Sequence, residues 1–139
     1  MGLHHMQIGE VAEQTGLSLR TIRYYEEVGL VTPSARTTGG FRLYSETDVA
    51  RLRLVRRMKP LEFSLEEMKD VLTVLDGLEA GDPLSTEHDQ LVGRLEMYRE
   101  ATAARITALK EQLEVAESFA SDLRREINRQ KKKAANQTK

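Results

Sequence analysis

The sequence predicts a mainly α protein: a winged helix-turn-helix of four helices with a small two-stranded wing, followed by one long coiled-coil helix. Three observations carry this. Two short helical stretches meet at Thr15-Gly16, with a serine placed to cap the second. A strictly alternating "FRLY" follows "TTGG". From Ser85 to Gln130 the chain has no proline and a single glycine, Gly93.

In "QIGEVAEQTGLS" Ile8, Val11 and Ala12 recur at helical spacing, and Leu17 lies beyond the break. Gly16 supplies the backbone freedom that a helix end needs. Ser18 is the N-cap of a second helix, Leu19 to Val28, which Gly29 stops. This gives the helix-turn-helix outline. Pro33 blocks helix, and Thr38-Gly39-Gly40 offers a hairpin turn. Alternation sends Phe41 and Leu43 one way, and Arg42 and Tyr44 the other. Ser45 and Asp48 cap a third helix carrying Val49, Leu52, Val55 and Met58, ended by Pro60. "SLEE" at Ser64 is a capping box for a fourth helix, whose stripe is Leu65, Met68, Val71, Leu72 and Leu75, with Gly77 closing it. The domain expected is thus residues 6–77, with a linker at 78–84.

Across 85–130 the apolar and small positions are His88, Leu91, Leu95, Tyr98, Thr102, Ile106, Leu109, Leu113, Ala116, Ala120, Leu123 and Ile127. The steps alternate three and four with one stutter near Thr102, which is a heptad seam. A small domain has little surface to cover so long a stripe, so a second copy is expected to cover it, in a coiled-coil dimer. Residues 131–139 are expected to be a basic, disordered tail, and the basic stretch Arg124 to Lys133 either to bind DNA or polymerase or to be a solvated, frayed end.

Composition bounds the function. The chain has 139 residues, 31% charged and 5% aromatic, with no cysteine. Disulfides, cysteine-ligated metal and thiol redox sensing are excluded from these residues. The lack of a spanning apolar run or signal peptide makes a cytoplasmic protein, with no membrane partner, the expectation. His4 and His5 could hold a stray metal; an unstructured terminus is the plainer reading. The formal charge of −1 hides a basic segment from Ser18 to Lys59, where Arg20, Arg23, Arg36, Arg42, Arg51, Arg53, Arg56, Arg57 and Lys59 face only Glu26, Glu27, Glu46 and Asp48. Such a segment suits a polyanion, or is a set of ordinary solvated helix faces.

Helical spacing separates the adjacent tyrosines. Tyr25 joins Leu19 and Ile22 on the inner face, its hydroxyl expected at the rim. Tyr24 joins Arg20, Arg23 and Glu27 on the open face, where a phenol can donate to a phosphate and arginine can grip a guanine edge. The wing adds Arg36, Arg42 and Tyr44, and Arg56 or Arg57 is placed to reach the DNA backbone.

The texts "IGEVAEQTGLSLRTIRYYEEVGLVTP", "GGFRLYS", "DVARLRLVRRMK" and "FSLEEMKDVL" closely resemble the N-terminal DNA-binding domain of the MerR family of bacterial transcription regulators. The resemblance covers about half the chain. It implies a homodimer, joined by an antiparallel coiled coil, on a palindrome within an over-long promoter spacer. Bending and untwisting that DNA would let RNA polymerase use both promoter elements. The family's DNA contacts map onto Arg20, Thr21, Arg23, Tyr24, Arg36, Arg42 and Tyr44, with Gly39 and Gly40 letting the wing backbone approach phosphate. Phe41 stands where the family often has tyrosine, and "KPLEF" replaces its "LGF"-type turn. Without cysteine the chain is not one of the family's thiolate sensors, and too little follows the coiled coil for a separate drug-binding domain. No cofactor or metal is expected. A small-molecule effector is possible, with His88, Met97, Tyr98 and Phe119 as liners or simply as packing residues. A coiled-coil adaptor with an incidental basic face is the competing class. An enzyme is not expected, since no nucleophile–base set, carboxylate pair or phosphate loop stands out.

Overall fold

The computed structural model describes residues 5–137. The elements run β1 Met6–Gln7, α1 Ile8–Thr15, α2 Leu19–Glu27, β2 Ala35–Arg36, β3 Arg42–Tyr44, α3 Glu46–Met58, α4 Leu65–Ala80 and α5 Thr86–Gln137. The chain divides into two units at Glu96/Met97.

In the first unit α1 ends at Gly16, whose φ of 73° is left-handed and whose N–H closes onto the Ala12 carbonyl. Ser18 then caps α2 by accepting from the Thr21 N–H at 3.1 Å. Its core is Val11, Ile22, Tyr25, Val31, Tyr44, Val49, Leu52, Val55 and the inner stripe of α4, Met68, Val71, Leu72 and Val74. Both capping boxes form, Ser45 with Asp48 and Ser64 with Glu67.

Several expectations need correction. The sheet has three strands, not two, in the order β1-β3-β2. Met6 pairs with Tyr44 and Gln7 with Leu43, and a two-residue strand is too short to show alternation. Gly77 does not close α4, which continues to Ala80 and is capped by Gly81. Gly77 instead admits a neighbour: a Cβ there would lie 2.9 Å from Leu91 Cδ1 on α5. An Arg94–Asp70 ion pair also joins α5 to α4, and the first turns of α5 belong to the first unit. After α3 the chain makes a 3-10 turn, Lys59–Leu61, and Glu62 takes a left-handed φ of 66°. Glycine adopts that backbone more easily.

In the second unit α5 stays helical to Gln137, seven residues beyond the expected end at Gln130. The segment 131–137 is therefore helix rather than disordered tail. It has no proline or glycine to stop a helix already propagating. His4 lies outside the described residues.

Candidate nucleic-acid interface

α2 presents two chemically distinct faces. Ile22 and Tyr25 are buried and fix the helix against the core, whereas Arg20 and Arg23 are exposed and Tyr24 is 47% exposed. The two tyrosine rings meet at 5.9 Å between centroids, tilted by 52°. Packing of this kind adds to burial and steadies the outward ring on the inward one. The Tyr25 hydroxyl is not at the rim as expected: it is buried without a hydrogen-bond partner. Burial, then the neighbouring Tyr24, pushes its pKa up. Thr21 is half-buried, and its hydroxyl accepts from Ser18 Oγ at 2.9 Å, so the side chain proposed for DNA also serves the helix cap.

The wing departs further from its sequence reading. Tyr44 does not share the open face with Arg42; it is wholly buried. β3 is the central strand, Tyr44 pairs with buried Met6, and the chain turns at once into the Ser45 cap of α3. Its phenol pKa is raised by burial and then by Glu26. Phe41 is 65% exposed, whereas Leu43, expected on the same side of the alternation, is half-buried. Phe41 precedes β3, so strand parity does not reach it, and its ring packs over Gly39. The hairpin is closed by Thr37 N–H to the Phe41 carbonyl at 2.9 Å and Gly40 N–H to the Thr37 carbonyl at 2.8 Å. Gly40 takes a φ of 85°, which this turn requires.

Arg36 and Arg42 both reach Glu26 on α2. That hydrogen bond is the main reason the Arg42 guanidinium is held still more firmly protonated than usual. Arg56 lies over Gly16, its Cζ 3.2 Å from where a Cβ would stand, and Arg53 donates to the Gln14 carbonyl at 3.4 Å. Both arginines thus serve the C-terminal end of α1, where cations are favoured. Arg57 is exposed. The structure therefore gathers Arg20, Arg23 and Tyr24 on one open helix face, ties Arg36 and Arg42 to the end of that helix, and removes Tyr44.

Sequence reading missed two organising residues. Glu26 looked like one of four opposing acids; only the fold shows it between two wing arginines. Asp48 is, on sequence, a helix cap and another of those four acids. It is 3% exposed and also accepts from Ser34 N–H at 3.1 Å and Ser34 Oγ at 2.5 Å, tying the wing's entry to α3.

On α5 the seam positions Ile106, Leu109, Leu113 and Leu123 are 38–57% exposed, and Ala116 and Ala120 are exposed as well. Leu91, Leu95, Tyr98 and Thr102 are half-covered. His88 lines a hollow of about 360 Å³ with Gly77, Asp82, Ser85 and Leu91. Phe119 lines a different depression, with Arg105, Val115 and Ala116. The four suggested effector liners thus do not share one cavity. Among the described residues no helix is long and apolar enough to cross a membrane, and no group of His, Asp and Glu is arranged to hold a metal.

Fold and exposed face together define a winged helix-turn-helix module with a long appended helix. Residues 6–75 match the model of the MerR HTH family regulatory proteins. The transcriptional regulator YfmP of Bacillus subtilis is 36% identical over 118 residues, covering 82% of this chain and 84% of that one. The chain belongs to the MerR family. Heavy metal-dependent transcription regulator 2 of Rhizobium meliloti is 45% identical over 69 residues, 50% of this chain and 47% of that one. The chain thus spans about half the length of the first curated relatives it matches. A MerR family transcriptional regulator of Listeria monocytogenes has the same fold, with a TM-score of 0.62 at 28% identity over 81% of this chain and 80% of that one.

Proposed function

We propose that the protein is a sequence-specific DNA-binding transcriptional regulator of the MerR type. It acts as a homodimer on a palindromic promoter operator, and bends and untwists the DNA to control its use by RNA polymerase. The observation that carries this reading is the two-faced α2: an inner face locked by Ile22 and Tyr25, and an outer face of exposed Arg20, Arg23 and Tyr24. A helix so anchored can enter a major groove in a fixed orientation, with arginine forks turned to base edges or phosphates. Gly39, Gly40 and Phe41 bring the wing tip to the flanking backbone, and Arg57 is free of the core to do the same.

The seam from Leu91 to Leu123, exposed from Ile106 onward, supports an antiparallel coiled coil with a second copy, since a stripe this long is poorly soluble if left open. Two symmetric recognition helices then require two half-sites, and both subunits supply the phosphate contacts that offset the DNA deformation. These 139 residues contain no cysteine, so they themselves offer no thiolate to a metal. The hollow at His88 has the volume of a small-ligand site.

The test is footprinting on the DNA upstream of the gene across a salt series. A protected inverted repeat is expected. Arg23→Ala should weaken it and reduce the slope of log affinity against log salt by about 1, with the dimer intact by sedimentation. Equal binding by wild type and Arg23→Ala would refute the recognition-helix assignment.

A further inference from the structure

We infer that Glu26 is a positioning residue that latches the wing to the recognition helix, and that Arg36 is used up in this latch rather than contacting DNA. The inference rests on the DNA-binding reading for its consequence, but the latch itself is a property of the free protein.

Glu26 sits one residue from the C-terminal end of α2, and its side chain is only 19% exposed. Its Oε2 accepts from Arg36 Nη2 and its Oε1 from Arg42 Nε, so both carboxylate oxygens are engaged by the wing. Arg36 stands on β2 and Arg42 on β3, directly paired across the hairpin. One carboxylate therefore holds both strands of the wing. Arg36 adds a second bond, Nη1 to the Gly40 carbonyl at 3.1 Å, which ties the hairpin's tip to the same fork. Guanidinium geometry suits this double task, whereas an ammonium is a single point of charge.

β1, buried Tyr44 and the Ser34–Asp48 bonds hold the base of the wing, but its outer part has few other anchors. β2 and β3 are two and three residues long, Ala35 and Arg36 are exposed, and Phe41 contributes an exposed ring. A hairpin this small is not stable alone. The latch explains why an acid lies beside a surface otherwise built for a polyanion: it sets the spacing between α2 and the wing before DNA arrives, so that less order has to be gained on binding. Electrostatics without a latch gives the opposite sign, since removing an acid near phosphate should tighten binding.

The experiment has two arms. In the free protein, hydrogen exchange at the Thr37 and Gly40 amides is compared for wild type, Glu26→Ala and Arg36→Lys. Both variants should speed these amides about tenfold while α3 and α4 are unchanged. Unchanged wing exchange would overturn the latch, whether or not the protein binds DNA. In the second arm, a duplex selected by wild type from a randomised pool is titrated over a salt series. Glu26→Ala should bind roughly tenfold more weakly and Glu26→Gln should fall between, since one acceptor oxygen remains. Arg36→Ala should weaken binding without changing the salt slope, in contrast to Arg23→Ala. Tighter binding by Glu26→Ala, or a slope reduced by about 1 in Arg36→Ala, would overturn the assignment. Failure of wild type to select any duplex would instead refute the DNA-binding reading, leaving the exchange result to decide the latch.

Discussion

Replacing Asp48 by alanine should unfold the first unit more easily than any other single loss of a polar group in it. Asp48 is 3% exposed, and one of its oxygens accepts from Ser34 N–H at 3.1 Å, Ser34 Oγ at 2.5 Å and Ser45 N–H at 2.9 Å. The Ser45 bond is half of the capping box of α3, and the carboxylate also lies at the positive end of that helix. A hydrogen bond to a charged group contributes about 1.5–3 kcal/mol, and the three here share one oxygen and are not additive. Ser34 Oγ retains an alternative partner in Ser45 Oγ at 3.2 Å. Two backbone donors lose their acceptor, which sets the expected loss at about 3 kcal/mol. For a unit of this size that corresponds to roughly 12–24 °C in Tm. The assay is urea unfolding followed by helical circular dichroism, at one fixed protein concentration because self-association shifts apparent stability. Asp48→Asn keeps an acceptor and should lose about half as much. A loss below about 1 kcal/mol for Asp48→Ala would refute the reasoning, since it would mean that water or Ser45 replaces the carboxylate without cost.

The orphaned phenols give a prediction of opposite sign. Tyr25→Phe and Tyr44→Phe remove hydroxyls that are buried without partners, so each should be neutral or stabilising by up to about 1 kcal/mol. Both phenol pKa values are raised above 10.0 in the fold, so their contribution is full below that pH and is lost as pH rises through the folded values. The double phenylalanine variant should therefore unfold less steeply than wild type in an alkaline titration; an identical alkaline limb would contradict the assignment. At Gly77 two effects oppose each other. Alanine favours α4 by about 1 kcal/mol, but its Cβ would meet Leu91 Cδ1 at 2.9 Å. Gly77→Ala should thus be more favourable in a Leu91→Ala background than in wild type, by a coupling of about 1 kcal/mol in a double-mutant cycle. Strict additivity would show that Leu91 simply turns away.

The sequence by itself determined what local chemistry controls. Ser18, Ser45 and Ser64 cap three helices as expected because an N-cap is decided within four residues. The two faces of α2 followed from helical period, which placed Tyr24 outward and Tyr25 inward. The single long helix α5 is likewise a property of a continuous segment, although it runs to Gln137 rather than to the expected Gln130. Tertiary structure decided whatever depends on residues far apart in the chain. Alternation could not reveal that Tyr44 lies on a central strand, because β1 supplies its neighbour Met6, 38 residues earlier in the chain. Nor could spacing reveal that Gly77 serves contact with Leu91 rather than termination. The arginines show the difference most clearly. On sequence, Arg23, Arg36, Arg42 and Arg56 are equivalent positive charges. In the fold Arg23 stays open, Arg36 and Arg42 are drawn to Glu26, and Arg56 covers the end of α1. A charge is a property of one residue, but its availability to a partner depends on what the fold has already placed beside it.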